Sequence, residues 1–302
     1  MPDSSPDSRP VLRLGHSPDP DDAFMWWPLL DLDGGGARVE TGRFRFETVA
    51  EDIEALNRRS ERADLEITAM SCAQYPFVQG RYALTACGAS LGDGYGPKLV
   101  ARRRMSPEDM RDRDVVVAVP GERTSAFGAL CLMLGRGAFR HVVVPFDEII
   151  ERVSSGEMDA GLVIHEGQLT FQHAGLRLVA DVGAWWRTRS GLPMPLGVNA
   201  VRRDLDDVHG PGALGEVTGI LRRSLEHALA HRAESIRYAL AFARDMGEDL
   251  ADEFIDLYVN HWTLDFGPEG RRAVAVFLRE LHEAGLVPAP TNVDFIAAAG
   301  RG

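Results

Sequence analysis

The sequence predicts an α/β protein of two lobes, with mainly parallel sheets and a ligand cleft between the lobes. Three observations carry this. From residue 11 to about 165, strand-like runs alternate with helix-like ones, the pattern of parallel strands joined by crossover helices. Short apolar runs at 98–101 and 195–199 interrupt that order, where the chain is expected to leave a first lobe and later re-enter it. Beyond about residue 212 the pattern is helix upon helix. The expected division is 1–98 with 199–302 as a discontinuous first lobe and 99–198 as the second. A cleft between lobes is where small molecules tend to bind.

Each element has a local cause. Residues 11–16 alternate and then meet the turn cluster Ser17-Pro18-Asp19-Pro20-Asp21-Asp22; residues 23–27 read as a helix start. Phe44 and Phe46 alternate with charged neighbours in a second strand over 43–49. Ile53, Leu56 and Ala63 mark a surface helix over 51–63, and 65–70 is a third strand, with a helix expected from Ser71. Residues 114–119 form a β-branched run of the kind buried on both faces of a sheet. After a loop at 120–125 comes an apolar helix over 126–134, a strand over 141–145, and a helix to Val153 that Asp147 is expected to cap. Ser155-Gly156 stops it, and a strand over 160–164 ends at His165. In the last third, Leu214, Val217, Leu221, Leu225 and Ala228 mark one helix and Ile236, Leu240 and Ala243 the next. Leu250, Phe254, Leu257 and Tyr258 mark a third helix. Ala273, Phe277 and Leu281 mark a fourth, introduced by Pro268 and closed by Gly285.

Composition narrows the function. The chain has 302 residues, 45 acidic and 33 basic, for a net charge of −12. That sign disfavours nucleic acid and any polybasic grip on a lipid surface. No apolar run is long enough to span a membrane. The polar opening MPDSSPDSRP lacks the basic and apolar regions of a secretory signal and reads as a loose lead-in to a cytoplasmic protein. Cys72, Cys87 and Cys131 are an odd number without metal-ligand spacing, read as buried free thiols. The oligomeric state, a homodimer included, is not decided by sequence.

Four features bear on chemistry. His165 falls at the carboxyl end of an apolar strand, where ligands of open α/β sheets bind; it reads as a general base or as a plain strand end. Thr124-Ser125 place hydroxyls and free N–H groups at a helix start, a geometry that either holds an anion or simply caps the helix; Ser71 has the same two readings. Asp19, Asp21 and Asp22 could bind a divalent cation or, the favoured reading, serve the start of a helix. Residues 92–97 are glycine-rich but lead into no phosphate-cradling helix and read as a turn before a hinge strand. Trp26-Trp27 and Trp185-Trp186 read as core or cleft wall. HExxH, CxxC and GxSxG patterns do not occur.

Leu14-Gly15-His16-Ser17-Pro18-Asp19-Pro20-Asp21-Asp22 resembles the opening strand and loop of the menaquinone-biosynthetic 1,4-dihydroxy-6-naphthoate synthases. Asp52-Ile53-Glu54-Ala55-Leu56-Asn57-Arg58, Gly94-Tyr95-Gly96-Pro97, Ile164-His165-Glu166, Asp181-Val182-Gly183-Ala184-Trp185-Trp186 and Gly191-Leu192-Pro193-Met194-Pro195-Leu196-Gly197 are similar in order and spacing. Tyr258-Val259-Asn260 and Gly270-Arg271-Arg272-Ala273-Val274 extend the likeness over nearly the whole chain. The resemblance implies a type II periplasmic-binding-protein-like fold used as a cytoplasmic lyase. It further implies conversion of cyclic dehypoxanthinylfutalosine, a small carboxylated substrate, into 1,4-dihydroxy-6-naphthoate and dihydroxyacetone, with no cofactor and no metal. It places the catalytic base at His165 and substrate contacts at Ala69-Met70-Ser71 and at Ser125-Ala126; Thr124, at the same helix start, is a substrate-binding candidate on the residue reading alone.

Two positions depart from that family. Its lysine is replaced by Ala69, removing a partner for a carboxylate. Its Cys-Pro-Asn-Asp reads Asp19-Pro20-Asp21-Asp22, adding negative charge at the cleft mouth. The same fold also admits a non-catalytic solute-binding protein or a chorismate dehydratase-like enzyme.

Overall fold

The computed structural model describes residues 7–242 and 247–297. Ala243, expected on a helix face, and residues 1–6 of the expected lead-in lie outside them. In chain order the elements are β1 (Val11–His16), α1 (Pro20–Trp26), β2 (Arg45–Ala50), α2 (Ile53–Ser60), β3 (Ile67–Ser71), α3 (Tyr75–Val78), β4 (Tyr82–Thr85), β5 (Ser90–Gly92) and β6 (Lys98–Ala101). Then follow β7 (Val116–Val119), α4 (Ser125–Leu134), β8 (Arg140–Val143), α5 (Ile149–Ser155), β9 (Ala160–Val163), α6 (Gly167–Thr170), β10 (Arg177–Asp181), α7 (Val182–Ser190) and β11 (Met194–Arg202). The chain ends with α8 (Leu205–His209), α9 (Ala213–Ala230), α10 (Arg232–Ala239), α11 (Glu248–Tyr258), α12 (His261–Leu264), α13 (Gly267–Glu283) and β12 (Phe295–Ile296).

The strands make two sheets. One runs β12-β4-β11-β3-β1-β2 with β5 also against β11; the other runs β10-β6-β9-β7-β8. β1 is parallel to β2 and β3, and β7 to β8 and β9, as βα units require. β11 is antiparallel to β3, β4 and β5, and β6 to β9 and β10. The sheets are therefore mixed rather than mainly parallel, because the two crossing strands enter against the direction of the βα units.

Local causes explain the smaller differences. α1 begins three residues earlier than the apolar run, at Pro20, whose fixed φ and missing N–H suit a first helical position. A 3-10 turn over Cys72–Gln74 precedes α3. Asp147 lies inside the 3-10 turn Phe146–Glu148 and is not the cap of α5; Gly156, left-handed at φ 87°, does end that helix. β8 edges its sheet, which leaves Val142 and Val143 exposed despite their apolar character. The short α12 carries too few apolar residues for periodicity to reveal it.

A continuous core runs from β3 and β4 through α4 and α13 to β7, β9 and Trp186, so both sheets share one buried mass. A second cluster packs α1, α9 and α10 on the outer face of β1, and a third packs α5 under β7 and β9. All three cysteines are buried and unbridged, and burial pushes the Cys87 and Cys131 thiols up to about 12. Among the described residues no helix is long and apolar enough to cross a membrane.

The turn over 93–97 is clamped against the start of α7. A Cβ on Gly183 would collide with the backbone of Tyr95 and Gly96, atoms that no rotamer change can move. Gly183→Ala is expected to lower stability by about 1–3 kcal/mol in urea unfolding. Gly80→Ala, whose Cβ would meet open space, should leave the midpoint unchanged.

Candidate active site

The loop after β1, the carboxyl ends of β3 and β9, and the start of α4 meet at one pocket. It encloses about 670 Å³, its open mouth included. Ala69, Met70, Ser71, Thr124, Ser125, Ala126 and His165 all line it. None of the described lining residues is Lys or Arg.

His165 follows β9 with a left-handed backbone, φ 51°, rare outside glycine and costing roughly 1–2 kcal/mol. That turn swings the ring off the strand. Nδ1 lies 2.8 Å from Asp19 Oδ2, and the edge of Phe146 packs at 4.8 Å between ring centroids. Nε2 is buried and has no hydrogen-bond partner among the described residues. Burial alone would push the imidazole below its usual range. The charge and hydrogen bond of Asp19, then the charges of Glu166 and Asp21, outweigh burial and raise the ring to about 9.

The acidic loop is divided among partners. Asp22 accepts from the Ser17 N–H at 2.7 Å and the Ser17 hydroxyl at 2.8 Å. Burial raises its carboxyl, against the lowering pull of His16 and Ser17. Asp21 is pushed well above the carboxylate range by burial and then by the charges of Asp22 and Asp19. Tyr258, at the end of α11, accepts from Gln168 Nε2, which leaves its own O–H to donate; burial and the two aspartates keep it protonated.

At the start of α4 the hydroxyls are already occupied. Thr124 Oγ1 donates to Gly121 O and accepts from the Phe127 N–H, at 2.7 and 3.1 Å. Ser125 Oγ donates to Leu196 O and accepts from the Ala73 N–H, at 2.6 and 3.2 Å. The expected anion-holding hydroxyls therefore build structure. What remains is the N–H of Ser125 and of Ala126, neither with an acceptor among the described residues, at the positive end of a ten-residue helix. Opposite them, Asn57 grips Ser71 twice: Asn57 Oδ1 accepts from the Ser71 N–H at 2.8 Å and Asn57 Nδ2 donates to Ser71 Oγ at 3.0 Å. With its oxygen accepting, Ser71 has its hydroxyl proton left to give to the pocket. Ala69 belongs to a small apolar cluster with Leu56 and Leu65, surroundings that suit a methyl group and not an ammonium.

Sequence reasoning gave no role to Asn57, Gln168 or Tyr258 and assigned Asp19 to a helix start or a cation. Asn57 and Tyr258 stand inside runs that carried the family resemblance, and that was the available signal. Gln168 offered none.

Fold and site together define a two-lobed α/β protein of the periplasmic-binding-protein kind, with a small-molecule pocket between its sheets. The alkanesulfonate-binding protein of Xanthomonas axonopodis pv. citri bound to MOPS shares the fold at TM-score 0.66 and 13% identity, with 96% of this chain and 98% of that one covered. A crystallised protein of Archaeoglobus fulgidus is more similar, at TM-score 0.81 and 38% identity over 92% of this chain and 98% of its own. The family model described as menaquinone biosynthesis matches residues 12–283, and the chain belongs to that family. Two relatives carry the name 1,4-dihydroxy-6-naphthoate synthase. That of Thermus thermophilus is 40% identical over 93% of this chain and 97% of its own, and that of Streptomyces coelicolor 36% over 93% and 96%.

The Asn57–Ser71 pair is expected to be strongly coupled. Asn57→Ala alone leaves a buried N–H and hydroxyl unpaired and should cost about 1–3 kcal/mol. In a double-mutant cycle with Ser71→Ala, measured by urea unfolding, the losses should fall short of additive; additive losses would contradict the grip.

Proposed function

We propose that this protein is a lyase of menaquinone biosynthesis that converts cyclic dehypoxanthinylfutalosine into 1,4-dihydroxy-6-naphthoate and dihydroxyacetone. The proposal includes action in the cytoplasm, without cofactor or metal. Similarity to two synthases over nearly their whole length supports the reading. The observation that carries it chemically is His165, which lines the pocket that the start of α4 also lines and whose buried Nε2 has no hydrogen-bond partner among the described residues. We also propose the lobe division 1–98 with 199–302 against 99–198. The pairing of β6 with β9 and of β11 with β3 supports crossings near these points, the second falling before Met194, where β11 begins.

The substrate carboxylate sits at the Ser125 and Ala126 N–H groups, with the Ser71 hydroxyl as a further donor. The sugar-derived ring then lies toward His165, whose Nε2 removes a proton. Negative charge develops on oxygen beside the protonated Tyr258 hydroxyl, a donor already in place. The bond to the three-carbon fragment breaks, its electron pair takes back the proton held by His165 so that the fragment leaves as dihydroxyacetone, and aromatisation of the remaining ring draws the step forward.

Incubation with cyclic dehypoxanthinylfutalosine should release naphthoate, followed by its absorbance; a wild-type protein that binds this substrate and never turns it over would favour a solute-binding role. His165→Gln should lower turnover roughly 10²–10⁴-fold with a much smaller change in substrate binding. Because the free ring is protonated up to about pH 9, kcat/KM should climb with pH through neutrality and level off near 9.

A further inference from the structure

We propose that Asp19 is the positioning residue of His165, and that the pair is assembled across the cleft when the lobes close. The inference rests on the synthase reading for its catalytic part only. Asp19 stands between β1 and α1, on the side of the seven-stranded sheet; His165 follows β9, in the five-stranded one. Their side chains nonetheless come within 2.8 Å, with Asp19 only 2% exposed. The carboxylate has declined its ordinary local task. Asp19 occupies the N-cap position of α1, where an aspartate usually accepts from the first-turn N–H groups, and its side chain makes no such bond. On the other side, the left-handed backbone of His165 aims the ring across the cleft.

This arrangement fixes chemistry as well as position. Facing the carboxylate, Nδ1 keeps its proton when the ring is neutral, so the free lone pair lies on Nε2, a buried atom with no hydrogen-bond partner among the described residues. The charged and titratable groups around the ring are Asp19 and Asp21 from the first lobe and Glu166 beside it, with Tyr258 of α11 facing both aspartates. Opening removes Asp19 and Asp21 together, so an open cleft holds a weaker base. The linkage has a sign. The closed form raises the imidazole from 6.5 to about 9, so the pair favours closure fully below about 6.5 and ceases to do so as pH rises through about 9. Other contacts bridge the cleft independently: Gln168 to Tyr258, and Arg123, which lies 3.4 Å from Glu61 and 3.5 Å from the centre of the Phe77 ring. Loss of the Asp19 charge should therefore change the base without abolishing the fold.

The test compares wild type with Asp19→Asn, which keeps shape and removes charge, and with Asp19→Glu, which keeps charge. The His165 ring is followed by NMR from pH 5 to 10, kcat and KM are measured over the same range, and the radius of gyration is measured by X-ray scattering at pH 7 and 10. In wild type the ring should titrate near 9. In Asp19→Asn the midpoint should fall by about one pH unit or more. In the same variant kcat should drop roughly 10²-fold with little change in KM, and Asp19→Glu should recover part of both. Wild type should expand at the higher pH and Asp19→Asn should not. An unmoved midpoint in Asp19→Asn overturns the pair, an unmoved kcat overturns its positioning role, and a wild-type radius independent of pH overturns the coupling to closure. The NMR and scattering arms need no turnover, so they stand or fall apart from the synthase reading.

Discussion

The site is governed by the need to keep ionisable groups out of water without leaving any of them uncompensated. Asp21, Asp22 and His165 line one pocket and Asp19 is buried against the His165 ring, where an isolated charge would cost several kcal/mol. Each has a distinct solution. Asp22 is held by the amide and hydroxyl of Ser17. Asp19 faces an imidazole that carries the opposite charge. Asp21, buried and pressed by both neighbours, has its carboxyl pushed well up, with the nearby imidazole pulling it back. The position of each group follows from how its neighbours are satisfied, so the loop after β1 behaves as one electrostatic unit.

The fold exists to bring those solutions together. β6 and β11 carry the chain between sheets, and their antiparallel insertion lets α4 start beside the end of β3. Ser125 then ties α4 to both Ala73 and Leu196, and Gly121 lets the preceding loop approach the Glu54 side chain where a Cβ would collide. The core that runs under α4 and α13 makes this packing a property of the whole molecule.

Much of this was legible from residues. Strands such as Val11–His16 and Val116–Val119 carry their pattern locally, and β-branched runs do not sit comfortably elsewhere. His165 stands out in the sequence because strand ends are where α/β sheets bind ligands. What escaped was long-range. No periodicity reports that a carboxylate after the first strand will meet an imidazole after the ninth, or that Asn57 on one element will hold Ser71 on the next. The residue types of Thr124 and Ser125 leave two readings open for the same reason: they suit both ligand binding and internal bonding, and only the positions of Gly121 and Leu196 show where their protons go.

The absence of a lysine at Ala69 is then coherent with the rest of the pocket. An ammonium there would share the pocket with His165 and would weaken the base by its own positive charge. It would also have to leave water for a cluster built from Leu56 and Leu65. The N–H groups at the start of α4 attract an anion without carrying a titrating proton, and their pull is confined to the first turn of the helix. Those dipoles do not themselves titrate across the pH range in which the imidazole changes charge. The proposed mechanism thereby separates substrate recognition from proton abstraction: fixed dipoles are assigned the first and a carboxylate-steered ring the second.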